Sequence, residues 1–563
     1  MKVVIVGGVA GGASAAARLR RLDEKAEIII FERTGYVSYA NCGLPYFIGG
    51  IIEEKEDLTL QTPESFRSRF NIDVRVRHEV LGIDRARKKV SVRNLDTGAE
   101  YDESYDKLIL SPGARPIVPD LPGVDGKRVY TLRTVEDTLR IREAATAGNV
   151  ESAVVIGGGF IGVETAENLK KAGLKVSIIQ RDPHILAPID GDMAAFLHNH
   201  LRRKGVTLLL NAVVTGFEEN DGGIRVMLEN GNSVAADFAV MAVGVAPEST
   251  LARTAGLETG VKGSIAVNGA MQTSDPDIYA VGDAVSVINT VTGDKSVIAL
   301  AGPANKQGRI AADNISGVSR SYAGSPASSV LKIFDMTAAF CGLNEAAANA
   351  AGIKYEKVIV SPASHASYYP GGRAMTIKAL FEPQSERILG AQIVGFDGVD
   401  KRLDVISTAM QSGMKVSQLA ELDLAYAPPY ASAKDPVNMV GFVAQNVLEG
   451  KVSQVFFDDL DSLPRDGSVI LLDTRTEEEY ARGHADGFSV NIPVDCLRER
   501  LGELDRAKPV YVMCQSGLRS YIACRILAQE GFRCFNFAGG YRLYDIVRRE
   551  RFDEKCSTDC GAR

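Results

Sequence analysis

The chain has 563 residues, of which 45% are hydrophobic and 24% charged, with a net charge of -7. That profile describes ordinary globular domains, several of them, and gives no global reason to expect nucleic acid or an anionic membrane as partner. No run reaches the roughly 18 unbroken apolar residues of a membrane span, and the eight cysteines are scattered rather than framework-spaced, so a reducing cytoplasm is the expected location and no metal site is expected.

In chain order, the first predicted unit is the strand "KVVIV", a turn holding Gly7, Gly8, Gly11 and Gly12, a helix start rich in small residues, and a second strand "AEIIIFE" that ends at Glu32. Glycines there let a backbone approach a pyrophosphate at a helix N-terminus, and an acid about 20 residues further on meets ribose hydroxyls. Val9 stands where the usual pattern has its middle glycine. The plan recurs in "SAVVIGGGFIGVETAENL", with Gly157, Gly159 and Gly162, but its second strand ends at Gln180 rather than at an acid. Without that acid the choice between NADH and NADPH is expected to be loose. Two dinucleotide sites in one chain point to a flavin fed by a nicotinamide. A third piece, "TSDPDIYAVGDAV", ends a strand at Gly282-Asp283, where a carboxylate is suited to hold a ribityl hydroxyl.

The two fingerprints, "SPGARP" and this aspartate resemble, in their order, the pyridine nucleotide-disulfide reductase family over about residues 1–445. The resemblance implies bound FAD and NAD(P)H, with further cofactor contacts from Arg33, Val80, Ser111, Gly113, Ile161, Gly244 and Ala301. The family usually sets a cysteine pair beside the flavin. Here "SYANCGLPY" holds Cys42 alone, which resembles the single-cysteine branch of coenzyme A-disulfide reductases, NADH oxidases and NADH peroxidases. In that branch the lone thiol is itself the nucleophile. Peroxide- and oxygen-reducing members carry a histidine in the first glycine-rich turn, where this chain has Ala10, so oxygen chemistry is the runner-up behind disulfide-type substrates, whose leaving group is already a fair thiolate.

Ser14, Arg18 and Arg21 fall at i, i+4 and i+7 of the first helix and so share one face, and "ESFRSRF" adds Arg67 and Arg69. They read either as a solvated face or as a phosphate clamp. The resemblance favours the clamp, with coenzyme A as substrate or bound ligand, and adds Ser38, Asn41, Asn305 and Lys434 to it. From Gly324 the composition changes to a mixed segment that resembles the family's dimerisation domain. Tyr368 and Tyr426 match tyrosines that reach from one subunit of a homodimer to the other's active cysteine, where a phenol protonates a leaving thiolate.

The last unit alternates strands and helices, "SVILLDTR", "PVYVMC", "YIACRILAQEG", and resembles a rhodanese domain, particularly at Asp473, Arg475, His484 and the loop "CQSGLR" from Cys514 to Arg519. A strand end, a turn of small residues and a helix start aim several N–H groups at one spot, a nest for an anion. The six-residue ring favours a sulfur-sized guest carried as a persulfide.

The expected fold is α/β: two Rossmann-like FAD and NAD(P) domains, an α+β dimerisation domain, and a parallel α/β rhodanese domain. The expected boundaries are 1–150 and 266–325 for FAD, 151–265 for NAD(P), 326–447 for dimerisation and 452–556 for rhodanese. The expected activity is hydride transfer from NAD(P)H through FAD to Cys42, which reduces coenzyme A disulfide, coenzyme A persulfide or polysulfide, with sulfane sulfur relayed by Cys514. A reading from another class is a slow-turnover redox sensor or sulfur carrier, prompted by Cys556 and Cys560 in "CSTDCGAR".

Overall fold

The structure is a computed structural model that describes residues 1–220 and 222–559, with side chains described as far as Glu550. Cys560 and the side chain of Cys556 therefore lie outside the described residues. The chain divides into two compact units, Met1–Arg181 with Ala212–Ala327, and Asp182–Asn211 with the chain from Ser328 onward.

The first unit is built on two parallel sheets. In one, the strand Lys2–Val6 lies between Glu27–Glu32 and Lys107–Leu110, with Asp73–Val76 and Ile278–Ala280 at the edges. In the other, Ser152–Ile156 lies between Lys175–Ile179 and Phe238–Met241, which in turn pairs with Val129–Thr131. Strands covered on both faces read as continuous Val/Ile runs, as "VVIV" and "AVVI" do, and these residues are buried almost completely.

Both sheets feed a helix through the same tight turn. Gly7 has φ +93° and Gly157 φ +107°, a region that only glycine enters cheaply. A Cβ on Gly12 would lie 1.9 Å from the Gly7 carbonyl oxygen, and one on Gly162 would lie 1.9 Å from that of Gly157. The two glycine patterns thus fold into one geometry, in which the first turn of the helix rests on the strand end.

In the second unit, an antiparallel five-stranded sheet runs in the order Ser329–Ile333, Met336–Gly342, Ile388–Gly395, Thr376–Phe381, Glu356–Val360. The helices Val399–Gln411 and Pro436–Leu448 contribute to its apolar core. The C-terminal part is a parallel sheet ordered Gln454–Val455, Cys534–Phe537, Val510–Met513, Ile470–Asp473, Val490–Asn491. The mixed α/β class and the parallel C-terminal sheet agree with the sequence expectation. No helix among the described residues is long and apolar enough to cross a membrane, and none of their His, Cys, Asp or Glu side chains form a cluster suited to a metal ion.

Candidate active site

Cys42 sits in a 3-10 turn, Asn41–Gly43, that runs into the short helix Leu44–Ile48. The chain reaches it through Ser38, a non-glycine residue at φ 49°. Such a conformation costs energy and persists only where the surroundings fix it. They do so here: the Ser38 N–H donates to the Gly8 carbonyl at 2.8 Å and the Leu60 N–H donates to the Ser38 carbonyl at 3.0 Å. The thiol loop is therefore tied straight to the first glycine-rich turn.

Arg133, which sequence reasoning passed over, joins two predicted site residues. It donates to the Asp283 carboxylate at 3.0 Å, and the Asn41 amide, oriented to satisfy both groups, accepts from Arg133 at 3.2 Å and donates to its carbonyl at 3.1 Å. The available signal was a basic residue at a strand end just before the Thr134 N-cap. Cys42 is exposed, yet desolvation by the atoms around it, followed by the charges of Glu164 and Asp283, holds its thiol above the ordinary cysteine value, with Arg133 opposing. Glu164, also passed over, accepts a hydrogen bond from the Tyr46 hydroxyl at 3.2 Å. Its carboxyl is raised to about 7, chiefly by desolvation. Its only mark in the sequence is an acid on the helix that follows the second glycine turn.

The residues fit two dinucleotides. Glu32, buried at the end of its strand, accepts from the Gly8 N–H at 3.0 Å, and Gln180 occupies the equivalent place by accepting from the Gly158 N–H at 2.7 Å. A Cβ on Gly159 would meet nothing within 4 Å, so open space stands at that helix N-terminus, as a pyrophosphate requires. Ser111 lies under the first turn, where its carbonyl oxygen would be 2.1 Å from a Cβ on Gly7. Gly113 and Gly244 both have positive φ. The Gly282 N–H donates to the buried Gln307 at 2.7 Å, next to Asp283. Ala301 opens the helix Ala301–Ile315. Ile161 lies in the helix Phe160–Lys171, while Val80 is a buried core residue and Arg33 is exposed.

Of the predicted clamp, Ser14 hydrogen-bonds Asn305, and Nε of Arg18 donates to the buried Asp313 at 2.6 Å. Arg18 is thus already paired on one side. Arg21, Arg67 and Arg69 are exposed, on the helices Ala10–Leu22 and Pro63–Phe70.

In the second unit the hydroxyls of Tyr368 and Tyr426 meet at 2.5 Å, with both rings exposed. That hydrogen bond, more than any burial, raises the Tyr368 phenol above its ordinary value. The two loops carrying them are held by buried Arg402, which donates to the carbonyls of Ser364 at 3.1 Å and Tyr430 at 3.2 Å and to the Asp435 carboxylate at 2.9 Å. Lys434, beside Asp435, is exposed.

The loop from Cys514 follows the strand Val510–Met513. The Cys514 sulfur is buried and accepts from the Gly517 N–H at 3.1 Å and from the Ser520 hydroxyl at 3.2 Å. Gly517, at φ +100°, makes the turn that aims its N–H inward. Arg519 is bridged to Glu479 by two hydrogen bonds of 2.6 and 2.8 Å, and this pairing holds the Glu479 carboxyl down to about 2. Asp473 and Arg475 form a buried ion pair at 2.7 Å, with Arg475 stacked under Tyr541, and His484 stacks on Tyr480. The Tyr541 N–H caps the Cys514 carbonyl at 2.7 Å.

Residues 1–308 match the pyridine nucleotide-disulphide oxidoreductase profile, and residues 328–436 match that family's dimerisation domain. The chain belongs to the pyridine nucleotide-disulphide oxidoreductase family. Residues 457–545 match a rhodanese-like domain, so this family member is an oxidoreductase extended by a rhodanese module. It is 36% identical to a coenzyme A disulfide reductase of Staphylococcus aureus over 445 residues, which is 79% of this chain and 100% of the relative. The crystal structure of reduced Bacillus anthracis CoADR-RHD superposes with a TM-score of 0.95 at 48% identity, covering 98% of each chain. An NAD-dependent persulfide reductase from A. fulgidus superposes at 0.91 with 40% identity, covering 97% of this chain and 100% of that one.

Proposed function

We propose that this protein is an NAD(P)H-dependent reductase of coenzyme A disulfide, coenzyme A persulfide or polysulfide, acting through Cys42, with the rhodanese module feeding it sulfane sulfur. The observation that carries the reading is Cys42: a lone exposed thiol anchored to the first dinucleotide turn and linked through Asn41 and Arg133 to Asp283. The similarity to a coenzyme A disulfide reductase and to a persulfide reductase along nearly their whole lengths supports it.

In this reading Glu32, Gly7, Gly11, Gly12 and Asp283 hold FAD, while Gly157, Gly159, Gly162 and Gln180 hold the nicotinamide nucleotide. What the flavin supplies when bound is two electrons taken from NAD(P)H, delivered at the sulfur of Cys42. The protein's own part is to make and place a thiolate. Cys42 attacks one sulfur of the substrate, the S–S bond breaks, and a thiolate leaves while the other half stays on Cys42 as a mixed disulfide or persulfide. Arg133 favours the Cys42 anion, and Glu164, poised near neutrality, exchanges a proton close to it. Ser14, Arg21, Arg67 and Arg69 face the phosphates of coenzyme A, and Lys434 joins them.

The chain works as a homodimer in this reading, and the Tyr368–Tyr426 pair protonates the leaving thiolate. At Cys514 the thiolate attacks the outer sulfur of a sulfane donor such as thiosulfate, the donor's S–S bond breaks, sulfite leaves, and the transferred sulfur stays as a persulfide held by the Gly517 N–H and the Ser520 hydroxyl.

The test is anaerobic reoxidation of the reduced enzyme by coenzyme A disulfide, coenzyme A persulfide, polysulfide and oxygen. Fast reoxidation by the coenzyme A substrates is expected. Reoxidation by oxygen alone overturns the reading in favour of an oxidase.

A further inference from the structure

Cys42 and Cys514 are the thiols the proposed chemistry uses, which leaves four described cysteines without a role. Cys341 is buried and its thiol is pushed up to about 12 by desolvation, so it is an inert part of the core. Cys496 stands exposed. Cys524 and Cys534 differ from both because they stand together.

Cys524 lies on the inner face of the helix Leu518–Gln529, 2% exposed, in the apolar core of the rhodanese module. Cys534 opens the neighbouring strand Cys534–Phe537 and is half-buried against that core. The Cys534 thiol donates to the Cys524 carbonyl oxygen at 3.2 Å, which sets the two cysteines side by side where the helix packs on the strand. The contact is unequal. The neighbouring Cys524 side chain lowers the Cys534 thiol below its ordinary value against the effect of burial, and the Arg525 charge and the Ala528 N–H act in the same sense. The same contact, reinforced by burial, raises Cys524 well above its ordinary value. One member is therefore accessible, beside a cation and inclined to ionise, and the other is buried and inclined to keep its proton. A reactive thiol with a resolving thiol at hand has this asymmetry.

We propose that Cys524 and Cys534 form a second, reversible dithiol–disulfide couple, in which Cys534 exchanges with small-molecule disulfides and Cys524 resolves the adduct. The steps balance without any further oxidant. The Cys534 thiolate attacks a disulfide R–S–S–R, the S–S bond breaks, one thiolate RS⁻ leaves and a mixed disulfide remains on Cys534. Cys524 gives up its proton and attacks the Cys534 sulfur, and the second RS⁻ leaves. Two protein thiols have been oxidised to a disulfide, and one small disulfide has been reduced to two thiols.

The couple is placed to act on the persulfide loop. Ser520, one turn before Cys524 on the same helix, donates to the Cys514 sulfur. Asn536, two residues after Cys534 on the same strand, donates to the Gly517 carbonyl at 3.3 Å. A covalent bond between Cys524 and Cys534 therefore ties together the two elements that hold that loop.

The test uses the full-length holoenzyme with Cys42→Ser and Cys514→Ser, so that the other reactive thiols do not consume the reagent, and glutathione disulfide as probe. Differential alkylation and non-reducing peptide mapping are expected to find a Cys524–Cys534 linkage that dithiothreitol reverses. With Cys524→Ala added, glutathione is expected to remain trapped on Cys534. With Cys534→Ala instead, Cys524 is expected to stay unmodified. Both cysteines remaining fully alkylatable after exposure to the disulfide, or an adduct trapped on Cys524 rather than Cys534, overturns the proposal. The mapping of the protein with both cysteines in place decides the matter even if a core alanine variant does not fold. It also stands apart from the reductase reading, because it needs no turnover at Cys42.

Discussion

Arg133 and Asp283 form an ion pair at 3.0 Å, with both side chains about four-fifths buried, and the same guanidinium reaches Asn41, the neighbour of Cys42. Arg133 lowers the Cys42 thiol against the combined effect of desolvation, Glu164 and Asp283. Arg133→Met therefore raises the Cys42 pKa further, which slows alkylation near neutral pH. The rate of iodoacetamide modification of Cys42, followed by peptide mass, checks this. An unchanged rate means that Arg133 does not reach the thiol's charge.

Glu164 gives the opposite prediction. Removing its charge with Glu164→Gln lowers the Cys42 thiol, so alkylation at a fixed neutral pH becomes faster. It also changes stability with a defined sign. The folded-state value of about 7 lies above the ordinary 4.5, so the folded chain binds this proton more tightly than the unfolded chain. The stabilisation is complete below pH 4.5 and is lost as pH rises through about 7. The melting temperature of the wild type relative to Glu164→Gln is therefore expected to fall across pH 4.5 to 7 and to level off above it. A difference that rises with pH over that window contradicts the assignment.

What the sequence disclosed, and what it did not, follows from the range of the interactions involved. The glycine turns were legible because their constraint is local: a carbonyl oxygen 1.9 Å from where a Cβ would stand leaves no choice of residue at Gly12 or Gly162. The Cys514 loop was legible for the same reason, since its donors Gly517 and Ser520 lie within six residues of the sulfur. Arg133 and Glu164 were not, because they meet the Cys42 region across 91 and 122 residues of chain, and no period or spacing marks such an approach. Arg18 shows the converse. Its helical spacing placed it on the shared face, but its pairing with Asp313 arises from the packing of the helix Ala10–Leu22 on Ala301–Ile315, almost 300 residues away.

Arg402 supplies a prediction in the second unit. It is 1% exposed and paired with Asp435, itself 2% exposed, while also holding the carbonyls of Ser364 and Tyr430. Arg402→Met leaves the Asp435 carboxylate buried without its partner and is expected to cost about 3–5 kcal/mol. Tyr368→Phe and Tyr426→Phe, at exposed positions, are expected to shift stability by less than about 0.5 kcal/mol. Thermal unfolding of the three variants separates a structural clamp from the exposed pair it positions. If Arg402→Met unfolds at the wild-type temperature, the clamp is not structural.

The rhodanese module invites a test of whether it serves the reductase or stands apart from it. Cys514→Ser removes the buried sulfur held by both the Gly517 N–H and the Ser520 hydroxyl, and is expected to abolish sulfurtransfer from thiosulfate while leaving reduction of free coenzyme A disulfide at Cys42 within about twofold of the parent. Ser520→Ala removes one of the two donors and leaves the nucleophile in place. Its sulfurtransfer is expected to fall by about 10-fold, the worth of roughly 1.4 kcal/mol from one lost hydrogen bond to a charged sulfur. Coupling is the stronger claim. With a sulfane donor that enters only through Cys514, NAD(P)H oxidation is expected to require both Cys42 and Cys514, and Ser520→Ala is expected to slow it in proportion to the sulfurtransfer rate. If Cys514→Ser oxidises NAD(P)H with every sulfane donor as fast as the parent, sulfur does not pass through the loop on its way to Cys42, and the module performs a separate reaction.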